Sequence, residues 1–257
     1  MLFRSLAAGI PVGDLNARRA RLSRIKGGRL TARLGARTAR ALFLSDVPDD
    51  DPAVIGSGLL GPSTDTADRV ERVVLASIGH AQEGVAAAAA KLGLEACVYP
   101  RRFDGDALRL AVRFAHELCL STTQVQVWGG ESTVQLPENP GRGGRNQHLA
   151  LAAARLIAGH ADLLLLAAGT DGTDGVTDDA GALVDAETCA RLALAELDAN
   201  ECLGRADSGT ALAAAGDLIH TGPTGTNVGD LVIGIKLSAQ AACALPDRRG
   251  GTLARVL

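Results

Sequence analysis

The chain has 257 residues, 47% of them hydrophobic and 2% aromatic, with a formal net charge of −3. That length holds one large or two modest domains with cores built from Ala, Leu, Val and Ile, and the small net charge leaves no electrostatic footprint for nucleic acid. Five cysteines stand apart without a CxxC pair, which argues against a zinc or disulfide framework and for a reducing cytoplasmic setting, and no run approaches the ~20 apolar residues of a membrane helix.

In chain order, Asp14 to Leu34 has helical spacing broken at Lys26, Gly27 and Gly28, a junction that can turn the lysine toward a ligand or leave it on the surface. Arg40 to Leu44 reads as a buried strand ending at Ser45 and Asp46, where sites form in open parallel sheets. A strand from about Val73, a helix from Gln82 to Lys91 and a strand from Leu94 to Tyr99 follow. Pro100 to Asp106 reads as a linker. Ala107 to Leu120 is a helix with an apolar stripe at Leu108, Ala111, Val112, Ala115 and Leu118.

The most informative stretch is Trp128 to Leu149. Two short strands, Gln124 to Trp128 and Ser132 to Leu136, are expected to lead into Gly141, Arg142, Gly143, Gly144 and Arg145. Asn146 or a neighbour then caps a helix that buries Leu149, Leu151, Ala152, Leu156 and Ile157. Glycines bring backbone close to an oxyanion, first-turn N–H groups lack intrahelical partners, and the helix dipole adds positive potential. A tight hairpin exit with solvated arginines reads equally well from this loop alone.

Asp162 to Ala168 is a buried strand, and it runs into GTDGTDGVTDDAG, residues 169–181. The carboxylates of Asp171, Asp174, Asp178 and Asp179 suit substrate hydroxyls or Mg²⁺, while Asx turns and helix caps account for Asp-Gly repeats without any ligand. Ala186 to Ile219 reads as helix broken near Asp198 and Asp207. TGPTGTNVGD, residues 221–230, then precedes the strand Leu231 to Leu237 and offers a second backbone nest. The tail from Pro246 is expected to fray. No P-loop, HExxH, GxSxG or dinucleotide fingerprint occurs.

In order and spacing, GGES, GRGGRNQ, GTDGTDG with TDDAGA, and TGPTGTNVGD resemble the MOFRL domain of the type 2 glycerate kinases, a family also labelled hydroxypyruvate reductases. LSRIKGGRL and LFLSDV resemble the later half of that family's first domain. The resemblance implies an α/β protein, with an incomplete Rossmann-like parallel sheet domain over residues 1–102 followed by an α/β MOFRL domain over residues 103–257. It implies transfer of a phosphoryl group from ATP, with Mg²⁺, to the 2-hydroxyl of D-glycerate. Carried over by motif, Arg145 is the catalytic arginine, with Lys26 the lysine left near it. Asp46, Glu131, Gly143, Gly144, Asn146, Gln147, Asp171, Asp174, Thr224, Thr226 and Asn227 become substrate or nucleotide contacts, with Ser45 and Asp230 beside them, and Asp171 and Asp178 become metal ligands.

The pattern also departs from the family's. Its glycine-rich first portion and its lysine have no counterpart before Met1, SGLLGP stands where SGPT is usual, and Gly229 replaces an asparagine. The expectation is an N-terminally truncated member that aggregates or associates tightly when made alone, with a homodimer or a companion chain among the explanations of the missing part. Its alternatives are a non-catalytic remnant binding a phosphorylated metabolite or a partner, and a nicotinamide-dependent hydroxypyruvate reductase.

Overall fold

A computed structural model of the chain describes residues 12–35, 37–62 and 69–237. The expected helices near the start are α1 (Val12–Leu22) and α2 (Arg29–Leu34), the latter entered through Gly28 at φ 78°, a left-handed conformation that glycine adopts without strain. Strands β1 (Ala39–Leu44) and β2 (Val70–Ala76) pair in parallel as a two-stranded sheet. Their alternation is clean: Ala41 and Phe43 join Ile55 and Val70 in a small core, while Arg40, Leu42 and Leu44 face outward.

Helix α3 (Ile78–Lys91) leads to β3 (Ala96–Asp106). The segment read as a linker, Pro100 to Asp106, is the second half of that strand. Its pairing with the next strand slips between Tyr99 and Phe103, around Pro100, which is tolerated because β3 lies at the sheet's edge. Asp106 caps α4 (Ala107–Leu120) by accepting the Arg109 N–H at 3.1 Å. The buried stripe of α4 is Ala107, Leu110, Ala111, Phe114, Ala115 and Leu118; Leu108 and Val112 are exposed.

The hairpin expected around Gly129 is a single strand, β4 (Val125–Thr133), parallel to β3. Trp128 is buried there between Tyr99 and Phe114, its indole N–H donating to Glu117 at 2.7 Å. Helix α5 (Arg145–Ile157) buries nearly every residue from Asn146 to Ala154, so it is a central helix rather than an amphipathic one; Leu156 is half exposed. Strand β5 (Leu163–Gly169) follows as expected. The stretch read as broken helix contains α6 (Thr188–Leu194), α7 (Ala199–Gly204) and α8 (Ser208–Ala215), between two short strands that the reading lacked, β6 (Gly181–Asp185) and β7 (Leu218–Ile219).

The last described strand, β8 (Asp230–Lys236), enters the middle of a six-stranded sheet of order β3-β4-β8-β5-β6-β7. It runs antiparallel to both neighbours, so its first residue lies level with the last of β5 and near the end of β4: Asp230 pairs with Gly169 on β5 and with Gly130 on β4. This register brings the exits of β4 and β5 and the entrance to β8, the three informative stretches of the sequence, to one end of the sheet.

Candidate active site at the head of the central helix

Asp230, 2% exposed at the start of β8, holds Arg145 in a two-pronged grip: Nε donates to Oδ2 at 2.7 Å and Nη2 to Oδ1 at 3.1 Å. Nη1 donates to Glu131 at the end of β4. Burial opposes the charge on Arg145, but the two carboxylates outweigh it and hold the guanidinium above its ordinary range. Burial likewise pushes the Asp230 carboxyl up, against the pull of Arg145. The result is a fixed, half-exposed cation aimed by two anions.

The start of α5 is organised differently from expectation. Asn146 is not its cap; the helix begins at Arg145, and its first turn is closed from across the site by Asp174. Asp174 Oδ1 accepts the Asn146 N–H at 3.1 Å and Oδ2 accepts the Gln147 N–H at 2.8 Å. Those amides are therefore occupied by the protein's own carboxylate. Asp174 is 3% exposed, and burial raises its pKa to about 6 despite the two backbone N–H groups that favour the charged form.

The loop glycines serve this packing. A Cβ on Gly144 would lie 2.3 Å from Asp174 Cγ, and one on Gly141 2.3 Å from Asp207 Cβ. Loop 141–144 thus lies flat against two other loops, a reason for its glycines independent of any bound anion.

Asp171 turns its own loop by accepting the Thr173 N–H at 3.0 Å, and its carbonyl accepts the Thr224 N–H at 3.1 Å. Thr170 Oγ1 donates to the Gly229 carbonyl at 2.7 Å and Thr224 Oγ1 to the Thr170 carbonyl at 2.6 Å. Asn227 bends the next turn by accepting the Gly229 N–H at 3.0 Å. The stretch expected as a second anion nest is laced to the aspartate loop by threonine hydroxyls.

Between these loops lies a cavity of about 540 Å³, lined by Gly143, Gly144, Arg145, Asn146, Asp171, Asp174, Asn227 and Asp230 among others. Glu131 meets it through Arg145, and Gln147 stands behind it, bonded to Thr177 Oγ1 at 2.7 Å. Thr224 and Thr226 shape the adjoining loop without lining the cavity. Ser132, His148 and Ser208, which the sequence reading passed over, do line it. The side chains of Ser132, Asn146, His148 and Ser208 each also carry a polar atom that is buried and has no hydrogen-bond partner.

The residues expected from the first part of the chain stand elsewhere. Lys26 Nζ donates to the Gly56 carbonyl at 3.1 Å and to Ser57 Oγ at 3.3 Å, and it does not line the cavity. Ser45 is fully buried at the end of β1, and Asp46 is exposed beside it. Asp46 reaches toward the site through Arg102, whose Nη2 donates to its carbonyl at 2.8 Å and lies 3.5 Å from where a Cβ on Gly229 would sit.

The two carboxylates expected to share a metal are not joined in one cluster. Asp171 lines the cavity and Asp178 is exposed outside its lining; among the described residues no group of three or more His, Cys, Asp or Glu side chains is placed to hold a metal ion. Mg²⁺ commonly takes one or two carboxylates together with phosphate oxygens and water, so Asp171 alone fits a metal that arrives with a phosphorylated substrate.

The MOFRL family model matches residues 124–230, and a domain of unknown function, DUF4147, matches residues 3–92. The chain is 33% identical to a putative hydroxypyruvate reductase of Agrobacterium vitis, over 88% of this chain and 70% of that one. It is 35% identical to the D-glycerate 2-kinase of Thermotoga maritima, over 90% of this chain and 64% of the relative. The chain belongs to the MOFRL-containing glycerate 2-kinase family. The crystal structure of Thermotoga maritima glycerate kinase superposes with a TM-score of 0.83 at 32% identity, covering 91% of this chain and 65% of the other. This family member thus spans just under two thirds of the length of the Thermotoga kinase that it matches. Its cavity lies within the MOFRL match, at the loops that join the sheet to α5.

Proposed function

We propose that the site transfers the γ-phosphoryl group of ATP to the 2-hydroxyl of D-glycerate. The observation that carries the reading is Arg145, fixed by Asp230 and Glu131 at the wall of the cavity. Phosphoryl transfer asks little covalent chemistry of a protein; it is accelerated by positioning and by neutralising charge on the group in flight. Three of the five guanidinium N–H donors are used by Asp230 and Glu131, so Arg145 keeps donors for phosphate oxygens while its orientation is locked.

Asp174 does not serve as a base in this scheme, because both its oxygens are committed to the helix amides. Asp171 is the carboxylate we assign to Mg²⁺ entering with the nucleotide, which when bound would neutralise phosphate charge. Asn227, exposed on the cavity wall, is assigned to the acceptor. We place the reaction in a reducing, cytoplasmic setting, supported by four unpaired cysteines among the described residues.

The test is product analysis by phosphorus NMR after incubation with ATP, Mg²⁺ and D-glycerate. The reading requires 2-phosphoglycerate and stoichiometric ADP. Oxidation of a reduced nicotinamide by hydroxypyruvate, without ADP release, would replace it with the reductase reading.

A further inference from the structure

Asp179 carries a buried carboxylate that the phosphoryl-transfer scheme does not use. It is 1% exposed, and it stands where the chain is held by the sheet on both sides. The next residue, Ala180, donates its N–H to the Ile219 carbonyl of β7 and accepts the Gly169 N–H of β5, each at 2.8 Å. A charge this buried costs stability unless donors reach it. Two do, from two different loops. Arg142 Nη2 donates to Oδ2 at 2.7 Å, and His220 Nδ1 lies 2.8 Å from Oδ1. An ionised carboxylate only accepts, so the imidazole presents its Nδ1–H to it.

These two loops are the ones that fix Arg145. Arg142 belongs to loop 141–144, which runs directly into α5 and Arg145. The Arg142 N–H donates to Asp207 at 2.9 Å, and its carbonyl accepts the Gly209 N–H at 2.8 Å. His220 follows β7 and opens the stretch 221–230, which ends at Asp230, the carboxylate that grips Arg145. The backbone leading into Arg145 and the backbone leading to its counter-ion are thus tethered to one carboxylate on the sheet. Arg142 is half exposed, His220 is exposed, and neither lines the cavity, so neither is placed to touch a reactant.

We propose that Asp179 is a positioning residue, clasping loop 141–144 to the start of the stretch 221–230 and so holding Arg145 and Asp230 in place for phosphoryl transfer. The effect on transfer rests on the kinase reading above; the clasp itself does not. A group displaced by about 1 Å from its productive position can cost on the order of a hundredfold in rate, so loss of the clasp acts on kcat while the contacts that bind the reactants remain.

The test is Asp179→Asn, which keeps the size of the side chain, removes its charge and turns an NH₂ toward one of the two donors. Amide hydrogen exchange and steady-state kinetics are read on the whole chain, well below its melting temperature. Exchange at the Arg142 and Gly209 N–H groups on one side, and at the Thr224 and Val228 N–H groups on the other, should quicken by about tenfold. With ATP and D-glycerate, kcat should fall by at least about tenfold and each KM should stay within about twofold. Arg142→Ala should quicken the first pair alone and His220→Ala the second alone, and these two surface variants carry the test should Asp179→Asn not fold. Arg142→Lys should recover part of the kcat lost in Arg142→Ala, because the contact to Oδ2 is a single one that an ammonium can make. Unchanged exchange overturns the clasp. Faster exchange with wild-type kcat makes Asp179 a structural tie and overturns its positioning role. Faster exchange in a protein whose wild type forms no 2-phosphoglycerate leaves the clasp and overturns the kinase reading, and the positioning role with it; unchanged exchange with 2-phosphoglycerate formed at the wild-type rate does the reverse.

Discussion

The carboxylate of Asp174 stands at the head of the helix that carries Arg145 and takes the Gln147 N–H at 2.8 Å. It does so in its charged form, although burial raises its pKa from the ordinary 3.8 to about 6. Protonation weakens its hold on the first turn, so activity should decline as pH falls through about 6. Asp174→Asn should lower kcat about tenfold, with little change in KM, and should flatten that acid limb; a pH–rate profile of both proteins checks it. The stability dependence has the opposite sign. A carboxyl whose folded pKa is raised contributes stability below its unfolded value and loses it as pH rises to about 6, a cost on the order of 3 kcal/mol. Urea midpoints measured from pH 4 to 7 should reveal a component in that direction that is absent from Asp174→Asn.

Arg145 and Asp230 should be coupled. Arg145→Ala leaves a buried carboxylate without its guanidinium and should cost about 1–3 kcal/mol of folding stability, discounted for the partial exposure of the arginine. Asp230→Ala in the same chain should recover part of that loss. Additive losses in a double-mutant cycle of urea denaturation would contradict the pairing.

Gly144 and Gly84 should respond oppositely to alanine. A Cβ on Gly144 meets Asp174 at 2.3 Å, whereas one on Gly84 in α3 meets nothing within 4 Å. Gly144→Ala should destabilise by about 1–3 kcal/mol by forcing the capping loop away. Gly84→Ala should stabilise by about 0.5–1 kcal/mol through helix propensity. Thermal melts of both variants compare the two directly.

Arg191 should matter for stability alone. Its Nη2 lies 2.7 Å from the buried Asp217 and 3.0 Å from Asp185, and Thr188 Oγ1 donates to Asp217 at 2.6 Å. This network ties α6 to the turn before β7, away from the cavity lining. Arg191→Ala should cost about 3 kcal/mol. Its kcat, measured well below the melting temperature, should match wild type.

The parts of this fold legible in the sequence were those set by local pattern. The spans of α4 and β5 follow from apolar runs and caps written into adjacent residues, and the three glycine-rich stretches stand out by composition alone. What escaped was long-range pairing. Pro100 suggests a linker until β3 is seen to be an edge strand, where a missing N–H costs little. Gly129 and Gly130 suggest a turn, yet a Cβ on Gly130 would sit 2.1 Å from the Phe103 carbonyl, so the glycine is needed for a close neighbour from the adjacent strand. Asp174 caps a helix that begins 29 residues before it in the chain, beyond the reach of any local capping rule. Lys26 stands at the helix break Lys26-Gly27-Gly28, and a break in local pattern carries no information about where the side chain is held. Ser132 and Ser208 offered no sequence signal apart from lying beside GGE and in a helix break.

The central claim is that Arg145 acts on the transferred phosphoryl group, held in aim by Asp230. The most direct measurement is steady-state turnover of ATP and D-glycerate by Arg145→Lys alongside Arg145→Ala. The lysine keeps the positive charge but cannot reproduce the two-pronged grip on Asp230. The account predicts a fall in kcat of at least a hundredfold for both variants, with the native fold retained by circular dichroism. A folded Arg145→Ala protein that turns over at the wild-type rate would contradict it.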